Sequence, residues 1–98
     1  MQAAILIRVK PDASEDAQAH QRAAEAQAVW FHHTSGVLRS IRLHDGPGAL
    51  LVVEVAGRAQ AEQLAGDLPM VRAGLVGFEV LELKPFTGYE ALFAPGPA

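Results

Sequence analysis

The four residues Asp45-Gly46-Pro47-Gly48 separate Val37 to His44 (VLRSIRLH), which alternates in polarity, from Ala49 to Ala56 (ALLVVEVA), which is apolar and rich in valine. Turn formers at that density between two strand-like runs predict a hairpin near the middle of the chain. The segments flanking the hairpin mirror each other. Upstream, Ala3 to Val9 (AAILIRV) reads as a strand closed by Lys10-Pro11. Either Asp12 or Ser14 caps the helix that follows, and Asp12 with Glu15 forms a pair like a capping box. That Ala- and Gln-rich helix is about nineteen residues long; it runs to His33 and stops at Ser35-Gly36. Downstream, Gly57 punctuates the chain, and Arg58 to Leu68 places Ala61, Leu64, Ala65 and Leu68 on one side of a second helix. Phe78 to Leu83 then alternates as a last strand.

The predicted order is β-α-β-β-α-β, the ferredoxin-like split βαβ arrangement. It is an α+β fold with a four-stranded antiparallel sheet and two helices on one face. Ninety-eight residues are enough for one such domain. It is expected to span residues 1–85, followed by a Gly- and Pro-rich arm over 86–98 that carries Tyr89, Leu92 and Phe93. Two helices cover one face of the sheet, so the other face needs a partner. In the second strand Leu38, Ser40, Arg42 and His44 read as one side and Val37, Arg39, Ile41 and Leu43 as the other, while in the third Leu50, Val52 and Glu54 oppose Ala49, Leu51, Val53 and Val55, so neither face is uniformly polar. An exposed apolar sheet face is an association surface. The expectation is a homodimer whose sheets face each other, closing a dimeric α+β barrel with room for a small ligand inside, and higher oligomers built from such dimers are compatible with it.

Charge and composition exclude several functions. A net charge of −3, with eight Lys and Arg spread along the chain, gives no basic stripe for nucleic acid and no attraction to an anionic membrane. There is no cysteine, which removes disulfides and thiolate catalysis and fits a cytoplasmic protein. The longest apolar runs, such as Ala49 to Val53, fall far short of the ~20 residues a membrane span requires, and no targeting segment is expected. Phosphate loops, G-x-S-x-G, C-x-x-C and RNA-binding strand motifs are missing from the sequence. No two histidines have the i, i+4 helical spacing of many zinc sites, so no metal is expected.

The candidate chemistry rests on a few side chains. Glu25 shares a helix face with Gln18, Gln21, Val29 and His32. Apolar surroundings would raise its pKa towards the working pH, as suits a group that takes and returns a proton; the alternative is a solvated carboxylate paired with Arg22. His32 and His33 either complement the helix C-terminus or supply one proton carrier to a pocket. Trp30 and Phe31 are either packing aromatics or surfaces on which a ligand stacks. An inward arginine, Arg39 or Arg42, could hold a substrate carboxylate, and the Ser40 hydroxyl could donate to a developing enolate; the alternative has the arginines in solvent or paired with Glu54 or Glu82.

One segment carries a family likeness. Ala61 to Val71 (AEQLAGDLPMV), followed by a strand ending Leu83-Lys84-Pro85, resembles the muconolactone isomerase family of the dimeric α+β barrel superfamily. The likeness runs from about Arg22 to Pro85, and its motif is the Leu68-Pro69-Met70 corner, which also occurs in the YCII-related group and in small antibiotic-synthesis monooxygenases. The resemblance implies that the corner, through Met70 and Val71, walls a pocket, and that Glu25 matches the acidic position proposed as the proton-transfer base. Beside these stand His32 and Ser40 as further catalytic candidates and Arg39, Arg42 and Trp30 as substrate contacts. The implied activity is a cofactor-free isomerase that shifts a proton in an unsaturated lactone or a similar enolisable carbonyl compound. Its rivals are a cofactor-free monooxygenase or cyclase on an aromatic polyketide-like substrate, and a non-catalytic small-ligand-binding barrel. Phe86 to Ala98 departs from the family by lacking the His-Pro ending typical of the isomerases.

Overall fold

The structure, a computed structural model, describes residues 1–93. Its elements are β1 (Gln2–Val9), α1 (Glu15–Thr34), β2 (Leu38–His44), β3 (Gly48–Glu54), α2 (Arg58–Gly66), α3 (Pro69–Arg72) and β4 (Val76–Leu83), followed by a 3-10 helix at Gly88–Leu92. Of the two candidate caps for α1, Ser14 serves: its backbone is extended and its Oγ accepts the Ala17 N–H at 3.1 Å. The second predicted helix ends two residues early. Pro69 has no N–H and holds Leu68 in extended backbone (φ −63°, ψ 136°), so α2 stops and the chain restarts as the single turn α3 with Pro69 at its first position.

The four strands form one antiparallel sheet in the order β2-β3-β1-β4. Register assigns the faces. Ile5 lies opposite Leu51 on one side and Val80 on the other, and all three are buried. With Ala3, Val53 and Val76 they form the helix-facing half of the core, met by Ala61, Leu64 and Ala65 of α2 and by Leu68. One position along, Ala4 lies between Val52 and Leu81, and Leu6 between Leu50 and Glu79. This second face has no helix over it. Leu50, Leu81 and Leu83 stand exposed on it, crossed by an Arg8–Glu79 ion pair at 3.1 Å whose two partners are more than half exposed and which adds little stability.

In β2 the simple alternation expected from the sequence does not hold. A bulge between Leu38 and Ser40 resets the phase, so that Leu38, Ile41 and Leu43 pair with helix-facing residues while Ser40, Arg42 and His44 pair with residues of the open face. Beyond β4 the chain stays exposed. Phe86 meets Tyr89 edge to face at 4.9 Å, and Leu92 and Phe93 are uncovered; the rest of the arm, residues 94–98, lies outside the described residues. No helix among the described residues is long and apolar enough to cross a membrane.

Candidate active site

Helix α1 has twenty residues and lies over the sheet, yet none of them is buried. The reason is the space beneath it. A cavity of about 400 Å³ lies between α1, the helix-facing side of the sheet and the Leu68-Pro69-Met70 corner, within the usual range for small-molecule sites. All four strands contribute apolar wall, through Ile7, Ile41, Leu51 and Val76, and the corner adds Leu68 and Met70. Helix α1 contributes Gln18, Arg22, Glu25 and Val29, whose spacing of four, three and four residues makes one stripe. Polar side chains at three of those four positions do not fill the groove as leucines would, so the helix bridges the sheet without sealing against it. A cavity thus lies inside one protomer, on the helix-facing side of the sheet.

Glu25 stands on that stripe, partly buried. Burial pushes its carboxyl above the ordinary glutamate value, and a hydrogen bond from the Met70 backbone N–H to Oε1, at 3.2 Å, draws it partly back. Two further donors line the same cavity. The Gln18 amide donates to the Ala13 carbonyl at 3.3 Å, and the Arg22 guanidinium pairs with Glu15 in an exposed position. His44 closes the hairpin end. Its Nδ1 accepts the Gly46 N–H at 3.0 Å, which assigns the proton to Nε2, and Nε2 donates to the Ile7 carbonyl at 2.7 Å. Both ring nitrogens are thus engaged, Nε2 in holding the hairpin to β1 and Nδ1 within the hairpin turn. The arrangement depends on Gly48, because a Cβ there would sit 1.9 Å from the Ile7 oxygen and 2.7 Å from His44 Nε2.

The other sequence candidates are dispersed. Met70 lines the cavity, and Val71 packs against the core beside it. Ser40 belongs to the open face of the sheet, and Arg39 and Arg42 are exposed on the edge strand β2, with Arg42 Nη1 donating to the Ile41 carbonyl at 3.0 Å. His32 borders a separate shallow cleft with Ser35 and Gln63, between the end of α1 and α2. Trp30 is 64% exposed and stacks on His33 at 5.2 Å. The structure thus brings Glu25 and Met70 together and leaves Val71, Ser40, Arg39, Arg42, His32 and Trp30 outside the cavity lining. Gln18, Arg22 and His44 are polar lining residues outside the set of sequence candidates; for Arg22 the i−3 spacing from Glu25 was the available signal. Among the described residues no group of three or more His, Asp or Glu side chains converges to hold a metal ion.

No family model matches this sequence, and no curated protein matches it. Among solved structures the fold is similar to that of 5-chloro-2-hydroxyhydroquinone dehydrochlorinase (TftG) from Burkholderia phenoliruptrix AC1100, in complex with 2,5-dihydroxybenzoquinone. The TM-score is 0.72 over 86% of this chain and 94% of that one, at 17% sequence identity. Similarity at that level establishes a shared fold and leaves the chemistry to the residues of the site.

Proposed function

We propose that the protein is a cofactor-free isomerase that moves a proton within an enolisable carbonyl compound the size of one small ring, such as an unsaturated lactone. The observation that carries the reading is Glu25: a single carboxylate, raised by burial, on the wall of an otherwise largely apolar cavity. In the ionised form it takes a proton from the carbon next to the carbonyl. The C–H electron pair becomes the new double bond of a dienolate, negative charge collects on the carbonyl oxygen, and Glu25 returns the proton at the far end of the conjugated system. Substrate and product have the same composition and oxidation state. Arg22 and Gln18 are the donors available to the developing oxyanion.

The fold neighbour supports this reading, since it is an enzyme with a conjugated ring carbonyl compound bound. The monooxygenase or cyclase reading places Trp30 and a histidine beside the substrate. Trp30 faces solvent, and the histidine on the cavity lining has both nitrogens engaged. We further propose a homodimer joined through the open sheet face. It carries Leu6, Leu50, Val52, Leu81 and Leu83, while the cavity opens on the other side. The activity is tested by incubating the protein with a panel of unsaturated lactones and cyclic enones in deuterated water and following isomerisation and carbon-bound deuterium by NMR. Glu25-dependent turnover of at least one of them is expected. A protein that binds panel members in the cavity and neither isomerises nor exchanges any of them is a binding barrel.

A further inference from the structure

The Leu68-Pro69-Met70 corner does more than stop a helix and contribute wall. Its backbone is fixed at several points. Leu68 is 1% exposed, the Arg72 N–H donates to the Leu68 carbonyl at 3.0 Å, the Ala73 N–H to Pro69 at 2.9 Å, and the Leu75 N–H to Met70 at 3.0 Å. Pro69 has no N–H, so Met70 presents the first free amide of the corner. That amide reaches Glu25, 45 positions earlier in the chain, and engages one carboxylate oxygen, Oε1. Helix α1 alone would leave a glutamate side chain several rotamers.

We infer that the Met70 backbone amide is a positioning group for Glu25: it holds Oε1 and so assigns the proton-transfer role to the other oxygen, Oε2. The inference rests on the reading of Glu25 as the base. It separates two functions at position 70, since the amide orients the carboxylate whatever side chain residue 70 carries, while the Met70 side chain shapes the cavity. A carboxylate held by a neutral amide keeps its orientation without being neutralised, as an ion pair with Arg22 would do. The orienting group belongs to the backbone, so no side-chain substitution at 70 other than proline removes it.

The test replaces the Met70 amide by an ester, using the α-hydroxy analogue of methionine at position 70 in the full-length chain, with Met70→Leu as the side-chain control. Loss of the donor is expected to raise the midpoint of the Glu25 carboxyl, followed by carbon-13 NMR, by about one pH unit. It is also expected to lower kcat with little change in KM, while Met70→Leu leaves the midpoint in place. An ester protein that folds and titrates with an unchanged midpoint overturns the inference. A second measurement needs no altered backbone: in the wild-type protein the Met70 amide proton should shift with pH at the same midpoint as the Glu25 carboxyl, and Glu25→Gln should abolish that transition. A Met70 amide that ignores the Glu25 titration overturns the positioning role even if the ester protein does not fold. Neither NMR measurement requires turnover. A titrating Met70 amide in a protein without isomerase activity would therefore reject the proposed reaction and keep the contact, whereas an active, Glu25-dependent enzyme with a silent Met70 amide would do the reverse.

Discussion

The Met70 N–H and the Glu25 carboxylate oxygen lie 3.2 Å apart, and that contact joins the first helix to the corner before the last strand. Glu25 is thus subject to two opposed influences, burial that favours its neutral form and a donor that favours its charge. Activity should rise with pH along a limb whose midpoint lies above the ordinary glutamate value of about 4.3. Glu25→Gln should remove that limb and lower turnover by ~10² or more, the lower range for a positioned general base. A pH–rate profile of both proteins on one substrate checks it.

The same raised pKa has a consequence for stability. Between the unfolded and folded values the native state binds more protons than the unfolded chain, so the Glu25 contribution is most favourable below about pH 4.3 and is lost as pH rises through the folded midpoint. The Gln amide keeps an oxygen to accept from Met70 and does not titrate. Glu25→Gln should therefore gain stability relative to wild type on going from pH 4 to pH 7, as read from urea unfolding at each pH. A wild-type advantage that grows over the same interval would contradict the direction of the shift.

Gly48→Ala should cost roughly 1–3 kcal/mol, the usual range for forcing an extra methyl into a packed place. The new Cβ meets the Ile7 carbonyl and the His44 ring, so strand or ring has to move. His44→Ala alone should cost less, because it removes two hydrogen bonds without adding bulk. In the Gly48→Ala protein, replacing His44 should recover only part of the loss, since the clash with the Ile7 oxygen remains. Thermal unfolding of the three variants decides this.

Met70→Ala enlarges the cavity while leaving its backbone amide in place. The side chain is only partly buried, so the stability loss should fall at or below the low end of the ~2–5 kcal/mol seen for buried truncations. Ligand affinity should fall by a larger factor than stability. Calorimetric titration beside denaturant unfolding separates the two, and equal binding by the folded variant would leave the corner as a helix stop.

Leu6→Glu places a charge at the centre of the open sheet face, between Leu50 and an existing Glu79. It should shift the protein to monomer in light scattering at micromolar concentration. A wild-type protein that is already monomeric there would remove the sheet-to-sheet dimer.

The elements were legible from local chemistry. Turn residues fixed the hairpin, Ser14 was one of two visible caps, and Pro69 announced a break although not the helical turn that follows it. Glu25 and Met70 were legible through their helix stripe and the corner motif. Faces and distances were not. The bulge at Leu38–Ser40 reverses the phase of β2, and nothing in VLRSIRLH marks it. The cavity beneath α1 was not legible, because Gln18 and Arg22 read as a solvated helix face until the sheet is known to lie beneath them. Which side chains converge depends on how far α1 stands off the strands, and no spacing rule records that height.

Alternation in β1 has one further consequence. Ile7 looks into the cavity and Leu6 looks away from it, so adjacent codons answer to different demands. Of the odd positions of that strand, Ala3 and Ile5 are constrained by the core and Ile7 and Val9 by the cavity, while the even ones answer to what the outer face meets. Substitutions one residue apart could thus reshape the cavity without touching the open sheet face, or alter that face without touching the cavity.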